Sequence, residues 1–179
     1  MTTGRIIVIS GLPGSGKTTT ARLVAEALPR AAHVEADEMH SLIRSAAVSP
    51  NGHDRELSGE AAVQFRLRLH NACVLGRSFA VAGFDATIDD FVIGDRVDHL
   101  LEEMSGQPFH MVTLVPSFDL LVQRWKSIDS PFVDSWAWMD EEIRERTQQL
   151  GLWLDTTSMT PDEVAAEVIN RLAESAVAV

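Results

Sequence analysis

The sequence predicts an α/β domain in which a five-stranded parallel sheet is sandwiched between helices. Short apolar runs alternate along the 179 residues with longer amphipathic segments, which is the pattern of βαβ units. Two of the apolar runs are almost continuous, as expected for strands that helices cover on both faces. The predicted strands are Arg5–Ser10, His33–Ala36, Phe79–Phe84, His110–Val115 and Leu152–Asp155.

Apolar side chains recur at helical spacing between the predicted strands. The last such segment is the best marked, because Thr160 to Glu163 combines a capping box with proline at the first helical position. Two further segments, Ser45–Leu57 and Ser127–Asp134, are rich in Ser, Pro, Asp or Gly and are predicted to be mobile loops. The remaining predicted helices are Lys17–Ala27, Glu60–Leu75 and Phe91–Met104.

The charge balance is acidic, with 15 Lys and Arg against 26 Asp and Glu and a net charge of −11. Such a surface repels nucleic-acid backbones, so we do not expect a nucleic-acid partner. No apolar stretch approaches the ~20 residues that a membrane span needs, and the N-terminus lacks a signal-peptide pattern. We therefore expect a cytoplasmic protein, either a monomer or a homodimer. The one cysteine, Cys73, lies in an apolar helical pattern and is expected to be a buried thiol.

Residues 11–18 form a complete G-x-x-x-x-G-K-[ST] motif between a predicted strand and a predicted helix. Its glycines let successive backbone N–H groups converge on a phosphate, and the following helix presents its positive end to the same anion. The lysine of such a motif reaches the β- and γ-phosphates, and the hydroxyl after it ligates Mg²⁺. We therefore expect bound ATP, with GTP as the open alternative, and Mg²⁺. The predicted nucleotide-binding residues are Gly11, Leu12, Pro13, Gly14, Ser15, Gly16, Lys17, Thr18, Thr19 and, later in the chain, Arg124.

Carboxylates lie at the end of the second predicted strand, at the edge where ligands bind in doubly wound sheets. Glu35 and Asp37 are two residues apart, so they share a face while the strand lasts. One carboxylate could hold a metal-bound water while the other accepts the proton of an attacking hydroxyl. We assign the metal role, shared with Thr18, to Glu35, and the catalytic, substrate-contacting role to Asp37. The alternative for Asp37 is that it caps a helix beginning near Glu38.

A third acidic candidate, Asp85, follows the third predicted strand. A carboxylate after an apolar strand in a protein with a phosphate loop is expected to be a metal ligand. Asp85 is therefore a candidate for contacting metal or substrate, although it could merely open a turn. His40 and Arg44 lie one helical turn apart beyond Asp37, and they either contact polar groups of the substrate or are solvated.

Cationic side chains flank the second predicted loop. They could close over the phosphates and stabilise the charge in transfer, a role we assign to Arg124 together with Lys17 in the phosphate loop. The same role stays open for Arg144 and Arg146, because ordinary surface ion pairs explain them equally well. Aromatic residues in Phe132–Trp138 either wall a substrate pocket or pin a lid to the body of the protein.

These motifs resemble the small-molecule kinases of the P-loop fold, a group that contains shikimate kinase, gluconate kinase, adenylylsulfate kinase, chloramphenicol phosphotransferase and the nucleoside monophosphate kinases. The resemblance is specific at Gly11–Thr18 and looser elsewhere. The stretch Ala36-Asp37-Glu38-Met39-His40 is similar to the Asp-x-x-His of gluconate-kinase-like proteins. The resemblance implies that Asp37 activates the substrate hydroxyl, that Asp85 belongs to the metal site and that Arg124 lies near adenine or phosphate.

The same resemblance implies a P-loop NTPase fold with one kinase domain over residues 1–179. Within it, we expect a helical substrate-binding region at about 38–76 and a lid at about 124–139. The expected activity is transfer of the γ-phosphate of ATP to a hydroxyl of a small molecule. Because we find no clear arginine set for a phosphorylated substrate, we favour an uncharged or modestly charged alcohol, such as an antibiotic, sugar or nucleoside. The alternatives are a kinase of a nucleic-acid end or nucleotide sugar, and a nucleotide-hydrolysing regulatory ATPase.

Overall fold

The computed structural model describes residues 3–48, 57–127 and 137–178. Within these ranges one sheet contains β1 (Ile6–Gly11), β2 (Ala31–Glu35), β3 (Asp85–Asp89), β4 (Phe109–Leu114), β5 (Leu152–Leu154) and β6 (Ala176–Val177). The first five strands are parallel and lie in the order β2-β3-β1-β4-β5. The sixth, β6, pairs antiparallel with the beginning of β4 and was not predicted from the sequence.

The helices lie mainly in the connections between the strands. A π-helical turn, Glu142–Arg146, precedes β5, and a short 3₁₀ helix, Leu172–Ser175, leads into β6. The α-helices of the described ranges are α1 (Lys17–Ala27), α2 (Ala36–Ser41), α3 (Gly59–Val81), α4 (Arg96–Glu103), α5 (Phe118–Ser127), α6 (Ala137–Glu141) and α7 (Pro161–Asn170).

Helices cover both faces of the sheet, and the central strand β1 supplies side chains to a core on each face. Ile6 and Val8 belong to a hydrophobic cluster that α3 and α4 complete. Ile7 and Ile9 belong to a second cluster, completed by α1 and α7. All four side chains are fully buried, as expected for a strand in the middle of a two-sided sheet. The predicted parallel sheet between two helical layers is therefore confirmed.

The sheet places the glycine-rich motif at its carboxyl edge. β1 lies between β3 and β4, so the strands that follow it in the chain are placed on both sides of it in the sheet. The strand order reverses at this point, and ligands bind at such a switch point in open α/β sheets. Gly11 ends the strand with φ 145°, and a Cβ there would lie 2.6 Å from the carbonyl oxygen of Leu114. Only glycine fits this conformation and this close approach.

The third strand was placed wrongly. The apolar run Phe79–Phe84 forms the last turn of α3 and the turn after it, where Gly83 adopts φ 82°. Phe79 and Ala80 pack into a core as helical residues, and a short apolar run cannot be told from a buried helix end by periodicity alone. The strand itself begins at Asp85. Two of its buried residues, Thr87 and Asp89, are polar, so the strand lacks a continuous apolar run by which the sequence could have revealed it.

Other element boundaries also shift. The helix predicted over Glu60–Leu75 continues to Val81, and the one predicted from Phe91 begins at Arg96. The capping box at Thr160 is present, with its hydroxyl accepting from the Glu163 N–H. Most of the two predicted loops, namely residues 49–56 of the first and 128–134 of the second, lies outside the described residues.

The structure describes the surroundings of the one cysteine and the length and polarity of the helices. Cys73 lies on the buried face of α3 within a hydrophobic core, and burial raises the pKa of its thiol to about 12. No helix in the described ranges is both long and apolar enough to cross a membrane.

Candidate active site

The glycine-rich loop is shaped to receive an anion. Gly14 and Gly16 have φ values of 76° and 97°, so the backbone takes left-handed turns that bring N–H groups together. Gly16 is the N-cap of α1 and provides no side-chain cap, and the first turn of that helix carries no acidic residue. The first N–H groups of α1 are therefore not capped by a side chain and can bind a phosphate.

A cavity of about 440 Å³ opens in front of this loop. Within it, the Ser15 hydroxyl is buried and has no hydrogen-bond partner among the described residues. A buried polar atom of this kind calls for a ligand or water. We call this space the nucleotide cavity; it is lined by Gly14, Ser15, Gly16, Lys17, Thr18, Thr19, Thr20, Arg124, Thr156, Met159, Pro161 and Val164.

The last residue of β3, Asp89, faces the loop from the neighbouring strand. Its Oδ2 accepts a hydrogen bond of 2.6 Å from the Thr18 hydroxyl, and its Oδ1 lies 2.6 Å from His33 Nε2. A hydroxyl and a carboxylate beside a phosphate loop are the oxygen ligands that suit Mg²⁺. The described residues contain no cluster of three or more His, Cys, Asp or Glu that could hold a metal, so phosphate oxygens and water would complete such a shell.

Glu35, the predicted metal residue, is the direct neighbour of Asp89 across the β2–β3 pair. Burial, together with the negative charge of Asp89, raises the pKa of Glu35. The structure thus brings Glu35 to the edge where the sequence placed it. Its assignment to the metal stays a prediction.

Asp85 occupies the opposite edge of the sheet, and its predicted metal and substrate role is wrong. It is the first residue of β3 rather than the residue after it. Its carboxylate accepts hydrogen bonds from the Arg5 side chain at 2.6 and 3.1 Å and from the Arg5 backbone N–H at 2.8 Å. Burial alone would raise the pKa of Asp85, but the hydrogen bonds from Arg5 lower it below its usual value.

Asp37 lies in the first turn of α2 and is held by an arginine from α3. Its carboxylate accepts a hydrogen bond of 2.6 Å from Arg68 Nη1, while the other amino group of that guanidinium pairs with the buried Asp90. The N-cap of α2 is Glu35, and no side chain caps this helix, so the capping role considered for Asp37 does not apply. Asp37 has 75% of its side chain exposed, which leaves it accessible to a ligand.

Lys17 lies among three carboxylates at this edge. Burial lowers the pKa of its ammonium group, while the charges of Asp89, Asp37 and Asp90 oppose that shift. The ammonium donates a hydrogen bond of 3.2 Å to the carbonyl of Leu12. The carboxyl edge therefore gathers cations and several acids, and groups of these kinds occur in sites of phosphoryl transfer.

Helix α5 is joined to the phosphate loop. Arg124 Nη1 donates to the Gly14 carbonyl at 2.7 Å, and Trp125 Nε1 donates to the Pro13 carbonyl at 3.0 Å. Arg124 also lines the nucleotide cavity, as expected of a residue that contacts phosphate or adenine. The segment after this helix, residues 128–136 of the expected lid, lies outside the described residues.

The positions of the remaining candidate residues do not point to one role. Both ring nitrogens of His40 are buried without a hydrogen-bond partner among the described residues, and Arg44 is exposed. Neither residue lines a cavity beside the loop or beside α3. Arg144 pairs with Asp140 at 2.8 Å and Arg146 pairs with Glu141 at 3.6 Å, as surface ion pairs do.

A second cavity of about 410 Å³ lies between α3, the segment from β3 to α4, and the π-helical turn. Trp138 lies in its wall, consistent with the interpretation that aromatics of its segment line a substrate pocket. Asp90 is also part of this wall and links the cavity to Arg68 and Asp37. We call it the acceptor cavity; it is lined by Leu57, Ala62, Phe65, Arg66, Leu69, Asp90, Phe91, Ile93, Asp95, Arg96, His99, Trp138, Glu142 and Arg146.

The sequence profile of the AAA domain family matches residues 6–127, which is more than half of the chain. The chain belongs to this family. No curated protein is similar enough in sequence to count as a match.

Solved structures give the same placement at the level of the fold. A sugar kinase from Janibacter sp. HTCC2649 is 20% identical, with 96% of each chain covered and a TM-score of 0.67. The Mycobacterium tuberculosis APS kinase, solved with AMPPNP and APS, is 19% identical over 97% of this chain and 99% of its own, with a TM-score of 0.68. The Acinetobacter baumannii shikimate kinase, solved with shikimate, is 19% identical over 93% and 92%, with a TM-score of 0.61. The fold that the resemblance to P-loop small-molecule kinases implied is therefore confirmed.

Several residues that the structure brings to the two cavities of this AAA domain were not predicted from the sequence. Asp89 and Asp90 follow Thr87-Ile88, and this β-branched pair was the available signal for a strand ending at those acids. Arg68 and Arg96 carried no local signal, because they reach the site from two different helices. Arg66, Arg96 and Arg146 line the acceptor cavity together with Asp90, Asp95 and Glu142. The expectation that no arginine set serves a phosphorylated substrate stays a prediction.

Proposed function

We propose that the protein is an ATP-dependent phosphotransferase that moves the γ-phosphate to a hydroxyl of a small molecule. The observation that carries this proposal is the meeting of two cavities at one group of charged residues. Lys17 lines the nucleotide cavity, and Asp90 lines the acceptor cavity. The Thr18 hydroxyl in the nucleotide cavity donates to Asp89, and the next residue, Asp90, lines the acceptor cavity, so the two spaces adjoin at the carboxyl edge of the sheet.

The nucleotide cavity suits the triphosphate of ATP. Its glycine turns, the uncapped start of α1 and the unpartnered Ser15 hydroxyl all provide donors for phosphate oxygens. We assign Thr18 and Asp89 to Mg²⁺, with Glu35 near them, and this ion would neutralise charge on the β- and γ-phosphates. Lys17 and Arg124 would supply the positive charge that transfer requires.

Asp37 is the residue that we assign to the acceptor hydroxyl. Its carboxylate is exposed, and Arg68 holds it in place beside the acid that lines the acceptor cavity. The acceptor oxygen forms a bond to the γ-phosphorus as the bond to the bridging oxygen breaks, and ADP leaves. Asp37 orients the hydroxyl and takes its proton, which a loose transition state requires only late.

The size of the acceptor cavity, about 410 Å³, fits a small molecule. The similar structures are named a sugar kinase, an APS kinase and a shikimate kinase, which supports a small acceptor. Residues 57–76 of the expected substrate-binding region contribute Phe65 and Leu69 to this cavity. Cytoplasmic location and a monomeric or homodimeric state stay predictions from the sequence.

The test is ADP release from Mg·ATP, measured with and without a panel of hydroxylated metabolites and antibiotics. We expect release to rise only when an acceptor is added. Lys17→Ala should abolish transfer while the circular dichroism spectrum stays native, because the β- and γ-phosphates lose their cation. Release that is equally fast without any alcohol would instead indicate a regulatory ATPase. Stimulation by oligonucleotides alone would indicate a kinase of nucleic-acid ends.

A further inference from the structure

One cation of the acceptor cavity, Arg96, is held by aromatic rings. Its guanidinium carbon lies 4.8 Å from the ring centroid of Phe65 and 4.7 Å from that of Phe91. The three residues come from α3, the segment after β3 and the start of α4, and all of them line the cavity. Contacts with two rings restrict the position of a guanidinium while leaving its N–H groups available.

No hydrogen bond or ion pair of Arg96 occurs within residues 3–48, 57–127 and 137–178. The other arginines nearby are engaged, because Arg66 pairs with Glu102 at 2.6 Å and Arg146 pairs with Glu141 at 3.6 Å. Arg68 is shared between Asp37 and Asp90. Among these cations, Arg96 is thus the one whose donors lack an acceptor in the described part of the chain.

Burial of the Arg96 guanidinium disfavours its charged form. Burial lowers the pKa of Arg96 to about 10, although the negative charges of Asp90, Glu142 and Asp95 oppose the shift. A partly desolvated guanidinium without hydrogen bonds is unfavourable unless a ligand supplies them. The geometry therefore leaves a place for an oxyanion on the cavity wall.

We propose that Arg96, between Phe65 and Phe91, binds a carboxylate of the acceptor, so that the substrate is a hydroxy acid. This proposal rests on the proposed phosphotransferase activity and names its substrate class. A carboxylate matches the planar fork of a guanidinium with two parallel hydrogen bonds. Asp90, Asp95 and Glu142 would repel a doubly charged phosphate monoester more than a singly charged carboxylate. The hydroxyl end of the acceptor then points towards Asp37.

The experiment compares hydroxy acids with their primary amides as acceptors in the ADP-release assay. Each amide keeps the hydroxyl and the carbon skeleton but has no charge. The wild-type protein should use the acids at lower KM than the amides. Arg96→Gln should raise KM for the acid roughly 10- to 100-fold, the effect of losing hydrogen bonds to a charged group, with kcat and the amide KM little changed.

A matched control is Arg30→Gln. Arg30 also contacts a ring, that of Phe84 at 4.0 Å, but it does not line the acceptor cavity. This variant should keep the preference for acids. Equal use of acids and amides by the wild-type protein, or an equal loss with both in Arg96→Gln, would overturn the proposal and leave the phosphotransferase intact. If no alcohol of either kind stimulates ADP release, the phosphotransferase proposal itself fails, and the Arg96 proposal fails with it.

Discussion

At the scale of single residues, the pair of Asp37 and Arg68 combines an exposed carboxylate with a buried guanidinium. The side chain of Arg68 is 8% exposed, and such a cation is tolerated only when it is paired. Asp90, which is also buried, supplies a second partner, so Arg68 does not depend on Asp37 alone. Asp37 can therefore exchange its contact for a substrate hydroxyl without leaving an unpaired charge inside the protein.

Asp37→Asn should lower the rate of transfer while nucleotide affinity stays nearly unchanged. Removal of a general base costs roughly 10²- to 10⁴-fold, and a loose transition state favours the low end. Single-turnover transfer and equilibrium binding of a non-hydrolysable ATP analogue measure the two effects. Asp85→Asn is the matched control, because Asp85 also pairs with an arginine, but at the opposite edge. Wild-type turnover in Asp37→Asn would move the base to another carboxylate, such as Glu35.

At the scale of elements, β3 decides which acid reaches the phosphate loop. The strand was predicted to end at Phe84, but it begins at Asp85 and ends at Asp89. Asp89, rather than Asp85, therefore lies at the carboxyl edge. The signals that identified α1 and α7 are local, namely a glycine-rich motif and a capping box. The identity of β3 depends instead on α3 continuing to Val81, which only packing against the sheet determines.

Asp89→Asn should raise the Mg²⁺ concentration needed for half-maximal activity. Loss of even an outer partner of a metal typically costs roughly 10- to 100-fold in affinity or activity, and Asp89 contacts Thr18 directly. A Mg²⁺ titration of the activity at fixed ATP measures this change. Asp85→Asn should show the wild-type dependence on Mg²⁺. The reverse result, with Asp85→Asn impaired and Asp89→Asn unaffected, would contradict the strand boundaries.

At the scale of the whole molecule, the parallel direction of the strands was predictable because each strand and its following helix form a local pattern. The acceptor cavity was not, because Phe65, Phe91 and Arg96 meet only after α3 and α4 pack on the same face. The phosphate loop was found for the opposite reason, since one continuous segment carries it. The sequence therefore predicted more of the residues that line the nucleotide cavity than of those that line the acceptor cavity.

The carboxyl groups at the two edges of the sheet have pKa values shifted in opposite directions, and the free energy of unfolding should depend on pH accordingly. At the amino edge, Arg5 lowers the pKa of Asp85, whereas at the carboxyl edge burial and a neighbouring carboxylate raise the pKa of Glu35. A carboxyl group with a lowered folded pKa stabilises the protein above its unfolded pKa, and this contribution is lost as pH falls through the folded value. A group with a raised folded pKa favours the folded state only at low pH, below its unfolded pKa, and this contribution is lost as pH rises through the folded value.

Two variants should therefore change stability in opposite directions when urea unfolding is followed as a function of pH. Asp85→Asn should destabilise the protein at neutral pH, and the loss should persist until pH falls below about 3.9, the unfolded pKa of aspartate. Glu35→Gln should stabilise it at neutral pH, because no carboxylate must then ionise beside its neighbour. That gain should disappear as pH falls towards about 4.3, the unfolded pKa of glutamate. Destabilisation by both variants at neutral pH would show that Glu35 is held by contacts rather than strained by its neighbours.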